Sequence, residues 1–178
     1  MIFIVTGPVH SGKTTLLKNI NQEMRRKELK IDGFLSESQW KGQEILGYDL
    51  LDLTEEKSYP FIRRSGEKNW DKIGPFYFIP ETLALAKQII KRAQNTDICV
   101  IDEVGPLELT GKGFWPELEG SLMRTHPHHL LVVRASILEK FLIRINRKDV
   151  RVFDVQDEYT SDEILKSLSF EQLRSRHS

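Results

Sequence analysis

Charge of one sign, cysteine and long apolar runs are all scarce in this chain, and each scarcity removes a class of function. Its 178 residues carry 26 basic and 26 acidic side chains, a formal net charge of zero. No global field draws such a protein to nucleic acid or to anionic lipid, so neither nucleic acid nor a membrane is an expected partner. The single cysteine, Cys99, excludes an internal disulfide. Its place inside Ile98-Cys99-Val100-Ile101 marks a small buried side chain suited to a reducing cytoplasm. The apolar N-terminal run stops at Gly7, too early for a signal segment, and no later run nears the roughly 20 residues that span a bilayer. A soluble, cytoplasmic protein is expected. Hydrophobic content of 39 % over this length supports one substantial core, so one domain over residues 1–178 is expected. Oligomeric state is not legible.

One segment carries a specific chemistry. Gly7-Pro8-Val9-His10-Ser11-Gly12-Lys13-Thr14 matches the phosphate-binding pattern G-x-x-x-x-G-K-[ST]. It follows the apolar run Ile2 to Thr6 and precedes a helix-like stretch, the strand-loop-helix setting that the pattern needs. Such a loop wraps backbone N–H groups around phosphate oxygens, and Gly7 and Gly12 supply turns and close approach that a Cβ would obstruct. His10 and Ser11 matter mainly as backbone. The cradle is expected to run from Gly7 through Pro8 and Val9 to Thr15. Lys13 places an ammonium on the β and γ oxygens, Thr14 offers its hydroxyl to Mg²⁺, and Thr15 is a further hydroxyl for the α-phosphate. The positive end of the following helix points at the same phosphates. Chance alone would produce this pattern in roughly one chain in a hundred of this length. Its position after a strand and before a helix argues against chance. The expected ligand is a nucleoside triphosphate, whether ATP, GTP or another, with Mg²⁺ as cofactor.

The rest of the chain alternates in the manner of a parallel sheet. Leu16, Leu17, Ile20, Met24 and Leu29 recur at helical spacing and predict a helix over 13–29. Strand-like runs follow at 31–37, 45–53 and 57–63, read as a strand and then an antiparallel hairpin. A polar, charged stretch from Arg63 to Gly74 predicts a loop or lid. Helices are expected over 80–94, around 114–124, over 136–146 and from about Ser161, with strands at 98–102, 129–134 and 150–155. This order predicts an α/β fold of three layers, the P-loop NTPase type, with a mostly parallel sheet, helices on both faces and an antiparallel hairpin addition.

The strand at 98–102 ends in Asp102-Glu103. An acidic residue at the carboxyl end of a parallel strand points into the crevice where open α/β sheets bind ligands. Asp102 is therefore the expected Mg²⁺ ligand, through water, and Glu103 the residue that polarises an attacking water. An apolar run followed by Asp-Glu is weak evidence by itself. A good phosphate loop about 90 residues earlier gives it weight.

With these elements in place a family resemblance emerges. Thr6 to Thr15, Ile31-Asp32-Gly33-Phe34 with Glu37, Leu46-Gly47-Tyr48, Ile73-Gly74, Asp102-Glu103-Val104-Gly105-Pro106-Leu107-Glu108-Leu109 and Asn146 to Val150 resemble the small P-loop nucleoside-triphosphatases known from thermophiles and as the cancer-related nucleoside-triphosphatase. The resemblance covers nearly the whole chain. It implies slow, Mg²⁺-dependent hydrolysis of several nucleoside triphosphates to diphosphate and phosphate. Carried over by position, Gly7 to Thr15 are the phosphate loop, Asp102 and Glu103 the acidic pair, and Glu37 the first acid of a G-F-x-T-E-E element. Three departures stand out: Pro106 in place of a lysine, Val133-Arg134-Ala135-Ser136 in place of a Thr-Ile-Pro-like turn, and Asp157-Glu158-Tyr159-Thr160 without the Glu-Asn-Arg pattern near the base. The last leaves base preference open.

Other residues admit two readings. Arg63, Arg64 and Arg134 are either arginine fingers toward the γ-phosphate or solvated loop cations. Trp70 either stacks on a base or packs under its loop. His126, His128 and His129 crowd together, but Pro127 interrupts them and no acid or cysteine has ligand spacing, so a turn before a strand explains them better than a metal. Glu37 either joins the Mg²⁺ shell or faces solvent. Three functions use the same parts: hydrolysis with Lys13 and Glu103 as catalytic residues, phosphoryl transfer to a small molecule, and a nucleotide-timed switch in which residues 63–74 move.

Overall fold

The structure, a computed structural model, describes residues 1–175, and the end of the expected domain, 176–178, lies outside the described residues. Its nine-stranded sheet runs in the order β5-β6-β4-β3-β2-β7-β8-β1-β9. The strands are β1 (Ile2–Thr6), β2 (Ile31–Lys41), β3 (Glu44–Asp52), β4 (Lys57–Arg63), β5 (Lys72–Ile73), β6 (Phe76–Phe78), β7 (Ile98–Val104), β8 (His128–Val133) and β9 (Val150–Asp154). From β2 to β9 neighbouring strands are parallel. From β2 outward through β3, β4, β6 and β5 they are antiparallel. The expected antiparallel addition is therefore present and larger than a hairpin. Residues Lys72 and Ile73, at the end of the segment read as a lid, pair with β6 as an edge strand.

Strand periodicity sorts the side chains between two cores. Ile2 and Ile4 face one side of the sheet, and Phe3 and Val5 the other. On the first face pack α2 (Pro80–Arg92), α4 (Trp115–Leu122) and α5 (Leu138–Ile145), through Ala86, Ile90, Leu118 and Phe141. On the second pack α1 (Lys13–Arg26) and α6 (Thr160–Ser175), through Leu17, Ile20, Met24, Ile164 and Leu168. A four-residue helix, α3 (Pro106–Leu109), follows β7. The α1 stripe Leu17, Ile20, Met24 is fully buried, and truncating one of these to Ala costs about 2–5 kcal/mol. α1 ends at Arg26, three residues before the predicted end, and Leu29 still reaches the core from the following turn.

One buried polar network joins the two halves of the sheet. Asp32 on β2 and Asp52 on β3 are almost wholly buried. The Arg92 guanidinium at the end of α2 donates to both, at 2.5 and 2.8 Å. The Thr54 hydroxyl and the Gly33 N–H also donate to Asp32, at 2.8 and 2.7 Å. The N–H groups of Thr54 and Glu55 serve Asp52. Two carboxylates stay buried here because one guanidinium bridges them and backbone and hydroxyl donors add to both.

Candidate active site

The loop between β1 and α1 takes a shape that only certain residues allow. Gly7 has φ 146°, and a Cβ there would lie 2.6 Å from Val155 Cγ1. Gly12 has φ 90° with open space around it, so backbone conformation alone demands glycine. The first turn of α1 carries no acidic residue. Its unpaired N–H groups and its dipole thus face the loop without a competing charge. Lys13 is buried, and its Nζ donates to the carbonyls of Pro8 at 2.6 Å and Gly7 at 3.3 Å. The ammonium is held over the loop by the loop itself.

Asp102 continues the alternation of Ile98 and Val100, which puts its side chain on the α1 face of the sheet. There it accepts from the Thr14 hydroxyl at 2.6 Å and from the Ser36 N–H at 3.4 Å. Burial pushes the Asp102 carboxyl up to about 7, against the Thr14 and Ser36 hydrogen bonds that favour its charged form. A hydroxyl and a buried carboxylate at hydrogen-bond distance are hard oxygen donors of the kind Mg²⁺ prefers, and a bound cation would reverse the burial effect. The residues present fit that ion.

Glu103 lies beside them and accepts from Arg134 Nε at 2.7 Å. Arg134 follows β8, the parallel neighbour of β7, so sheet register carries the two side chains to the same end of the crevice. One cavity of about 560 Å³ is lined by Val9 to Thr15, Asp102, Glu103 and Arg134. Ser36, Ser38, Trp40 and Tyr48 complete its near wall. Of these four only Tyr48 stands out in the sequence, through Leu46-Gly47-Tyr48; Ser36, Ser38 and Trp40 do not. β2 runs four residues past its expected end through Ser38-Gln39-Trp40-Lys41, a polar stretch with no periodic apolar signal. The Trp40 ring lies 5.2 Å from that of His10. Burial raises the pKa of the Tyr48 hydroxyl, and Arg134 opposes that shift.

The remaining candidates separate clearly. Glu37, with the opposite strand parity to Ser36, turns to the α1 face and pairs with Lys18, away from the cavity wall. Arg63 is spent on the carbonyls of Tyr48 and Ile62 and on Asp49. Arg64 donates to the Ile45 carbonyl and lies over the Phe76 ring. Neither faces the phosphate loop, which leaves Arg134 as the arginine of this crevice among the described residues. Trp70 packs against the turn at Gly66 and does not line the cavity. His129 is buried on Ser121 Oγ at 2.9 Å, and His128 contacts the N-terminal amine at 3.1 Å. Among the described residues no group of three or more His, Cys, Asp or Glu side chains forms a metal cluster. Glu108, on α3, caps its own helix by accepting from the Gly105 N–H at 2.9 Å, and burial raises its carboxyl to about 7.

Comparison with known proteins extends over nearly the whole chain. A family model described as NTPase matches residues 2–168. Nucleoside-triphosphatase THEP1 of Metallosphaera sedula is 31% identical over 150 residues, covering 83% of this chain and 81% of that protein. The human cancer-related nucleoside-triphosphatase is 26% identical over 169 residues, covering 86% and 87%. The solution structure of a human cancer-related nucleoside triphosphatase aligns with a TM-score of 0.73 at 25% identity over 96% of both chains. The crystal structure of THEP1 from the hyperthermophile Aquifex aeolicus aligns at 0.76, with 21% identity over 94% and 99%.

Proposed function

The chain belongs to the NTPase family and has its three-layer P-loop fold, and from that premise we propose that it hydrolyses nucleoside triphosphates to diphosphates and phosphate with Mg²⁺. The observation that carries this reading is the 2.6 Å contact between Thr14 and Asp102, which joins the phosphate loop to the acidic strand end within one cavity. Loop N–H groups and the α1 N-terminus bind the phosphates. Lys13 neutralises charge that builds on the leaving diphosphate. Glu103, its direction held by Arg134, takes the proton of a water as the water oxygen bonds to the γ-phosphorus and the bond to the β–γ bridging oxygen breaks. Thr14 and Asp102 would hold Mg²⁺, which supplies charge stabilisation at the β and γ oxygens.

Turnover is slow in this reading, because Arg134 is engaged with Glu103 and no second arginine faces the phosphates among the described residues. Base specificity is broad, because the polar contacts concentrate at the phosphate and metal end. The buried thiol of Cys99 and the neutral charge balance support a cytoplasmic setting. No helix among the described residues is long and apolar enough to cross a membrane. The test is phosphate release from purified ATP, GTP, CTP and UTP with and without Mg²⁺. Release from several of them that chelation stops is expected. Release that persists in Lys13→Ala would overturn the site.

A further inference from the structure

Hydrolysis uses the phosphate loop, the acidic strand end and one water beside Glu103, and the cavity has further walls that belong to none of these. The same cavity includes a chamber walled by Tyr48, Phe61, Ile62, Phe76, Phe78 and Phe114. These residues come from β3, β4, β6 and the segment before α4, and none belongs to the phosphate loop or the acidic strand end. The rings are fixed edge to face: Phe61 on Phe78 at 5.4 Å, Tyr48 on Phe76 at 5.8 Å, and Phe114 on the core ring of Phe34 at 5.4 Å. A preformed apolar space with a few polar groups converging at one end is the usual form of a small-molecule site.

Orientation decides which molecule it takes. In a phosphate loop the backbone cradles the α and β phosphates, and the γ-phosphate lies at the lysine, the metal and the acidic strand end. The aromatic wall shares its cavity with Asp102 and Glu103, and the Tyr48 hydroxyl is close enough to feel the charges of Arg134, Glu103 and Asp102, which sets this wall at the γ-phosphate end. Among the described residues none from β9 or the turn after it lines the cavity. Aromatic walls favour an aromatic ring, through edge and face contacts as well as area. The group presented to Glu103 must be one whose proton a carboxylate can take.

We propose that the chamber binds a hydroxyl-bearing aromatic small molecule and that the protein transfers the γ-phosphoryl group to it, a step that rests on the triphosphate reading above. The acceptor oxygen forms a bond to the γ-phosphorus, and the bond from phosphorus to the β–γ bridging oxygen breaks. Its electron pair leaves with the nucleoside diphosphate. The hydroxyl proton passes to the Glu103 carboxylate. The triphosphate is the only co-reactant, and the products are a phosphate ester and a diphosphate. Hydrolysis is the same step with water in the acceptor's place.

The test uses the full chain and a set of fluorinated benzyl alcohols and phenols as probes. Fluorine NMR reads binding, and γ-radiolabelled ATP reads transfer. At least one probe is expected to bind, to remain bound when the β,γ-imido analogue of ATP is added, and to gain the label. Ile62→Trp, which fills the chamber, should weaken that binding about tenfold or more. Ile73→Trp on the edge strand serves if the first variant melts early. Failure of every probe to bind overturns the proposal, as does binding that Ile62→Trp and Ile73→Trp leave unchanged. Displacement by the imido analogue would make the chamber a base pocket and overturn it too. Label that reaches only water at saturating probe removes the transfer step. Absence of phosphate release to water as well would instead fell the triphosphate reading, and transfer with it, while probe binding still judges the chamber independently.

Discussion

Arg134 Nε donates to Glu103 Oε1 across 2.7 Å, joining the ends of two adjacent parallel strands at the mouth of the phosphate crevice. Both side chains are partly exposed, at 38% and 23%, so the ion pair itself adds little stability. Its consequence is directional: a carboxylate otherwise free to rotate is held in one orientation in the cavity that the phosphate loop also lines.

Arg134→Ala should therefore act on rate more than on binding. Misplacing a base by about 1 Å costs on the order of 10² in rate, and kcat is expected to fall by about that factor while KM changes little. Arg134→Lys should recover part of the loss, since a lysine restores charge without the planar fork. Steady-state kinetics of both variants provide the check. A rise in KM at unchanged kcat would show that Arg134 binds substrate instead of orienting Glu103.

Arg92→Ala should damage the fold and spare the chemistry. Removing the guanidinium leaves Asp32 and Asp52, 2% and 1% exposed, without a cation. Breaking a buried ion pair costs about 3–5 kcal/mol, and the 40% exposure of Arg92 places this case near or below the lower end. Urea unfolding should show the loss. Nucleotide affinity of the remaining folded protein should be unchanged.

His129 sets an acid limit on stability. Burial, with the N-terminal ammonium and Arg147 adding to it, lowers its pKa to about 3 from an ordinary 6.5. Between those values the unfolded chain binds a proton that the folded chain refuses, so stability is complete above about pH 6.5 and declines as pH falls toward 3. His129→Gln keeps a partner for Ser121 and removes the titration. Unfolding free energies measured from pH 7 to 4 should fall less steeply in the variant than in the parent. Equal slopes would assign the acid loss to carboxylates such as Asp149, whose pKa the Arg147 hydrogen bond depresses.

What was legible in the sequence is what is local. The phosphate loop packs its chemistry into consecutive residues, and β7 is buried on both faces, so an apolar run ending in acids marks the strand end. Helix α2 shows itself through Pro80, Glu81 and the apolar positions 83, 86, 89 and 90. Contacts made by register are not legible in this way. Arg134 meets Glu103 only because β7 and β8 are neighbours. Glu37 shares the α1 face with Asp102, yet its carboxylate is taken up by Lys18 from the next element, and the group of β2 that reaches Asp102 is the backbone N–H of Ser36, which no side-chain pattern announces. Phe61, Phe78 and Phe114 carry no site signal, since nothing in a sequence separates a ring that fills a core from one that also lines a cavity beside it.

The last prediction separates binding from chemistry at the two neighbouring acids. Glu103→Gln keeps the side chain's size, and its amide oxygen still accepts from Arg134, so the geometry of the pair survives while the base is lost. A positioned general base contributes about 10² to 10⁴ in rate, and single-turnover hydrolysis should fall by that order with triphosphate affinity little changed. Asp102→Asn acts differently. It removes a buried charge, so the fold should melt no earlier than the parent, but the oxygen pair facing Thr14 loses the anion that would hold Mg²⁺. Metal-dependent triphosphate binding should weaken before any catalytic step is reached. Isothermal titration with Mg²⁺ and the β,γ-imido analogue of ATP, beside single-turnover assays, distinguishes the two. A Glu103→Gln protein that hydrolyses at the parental rate would move the base elsewhere, and the Lys18 ion pair makes Glu37 a poor substitute.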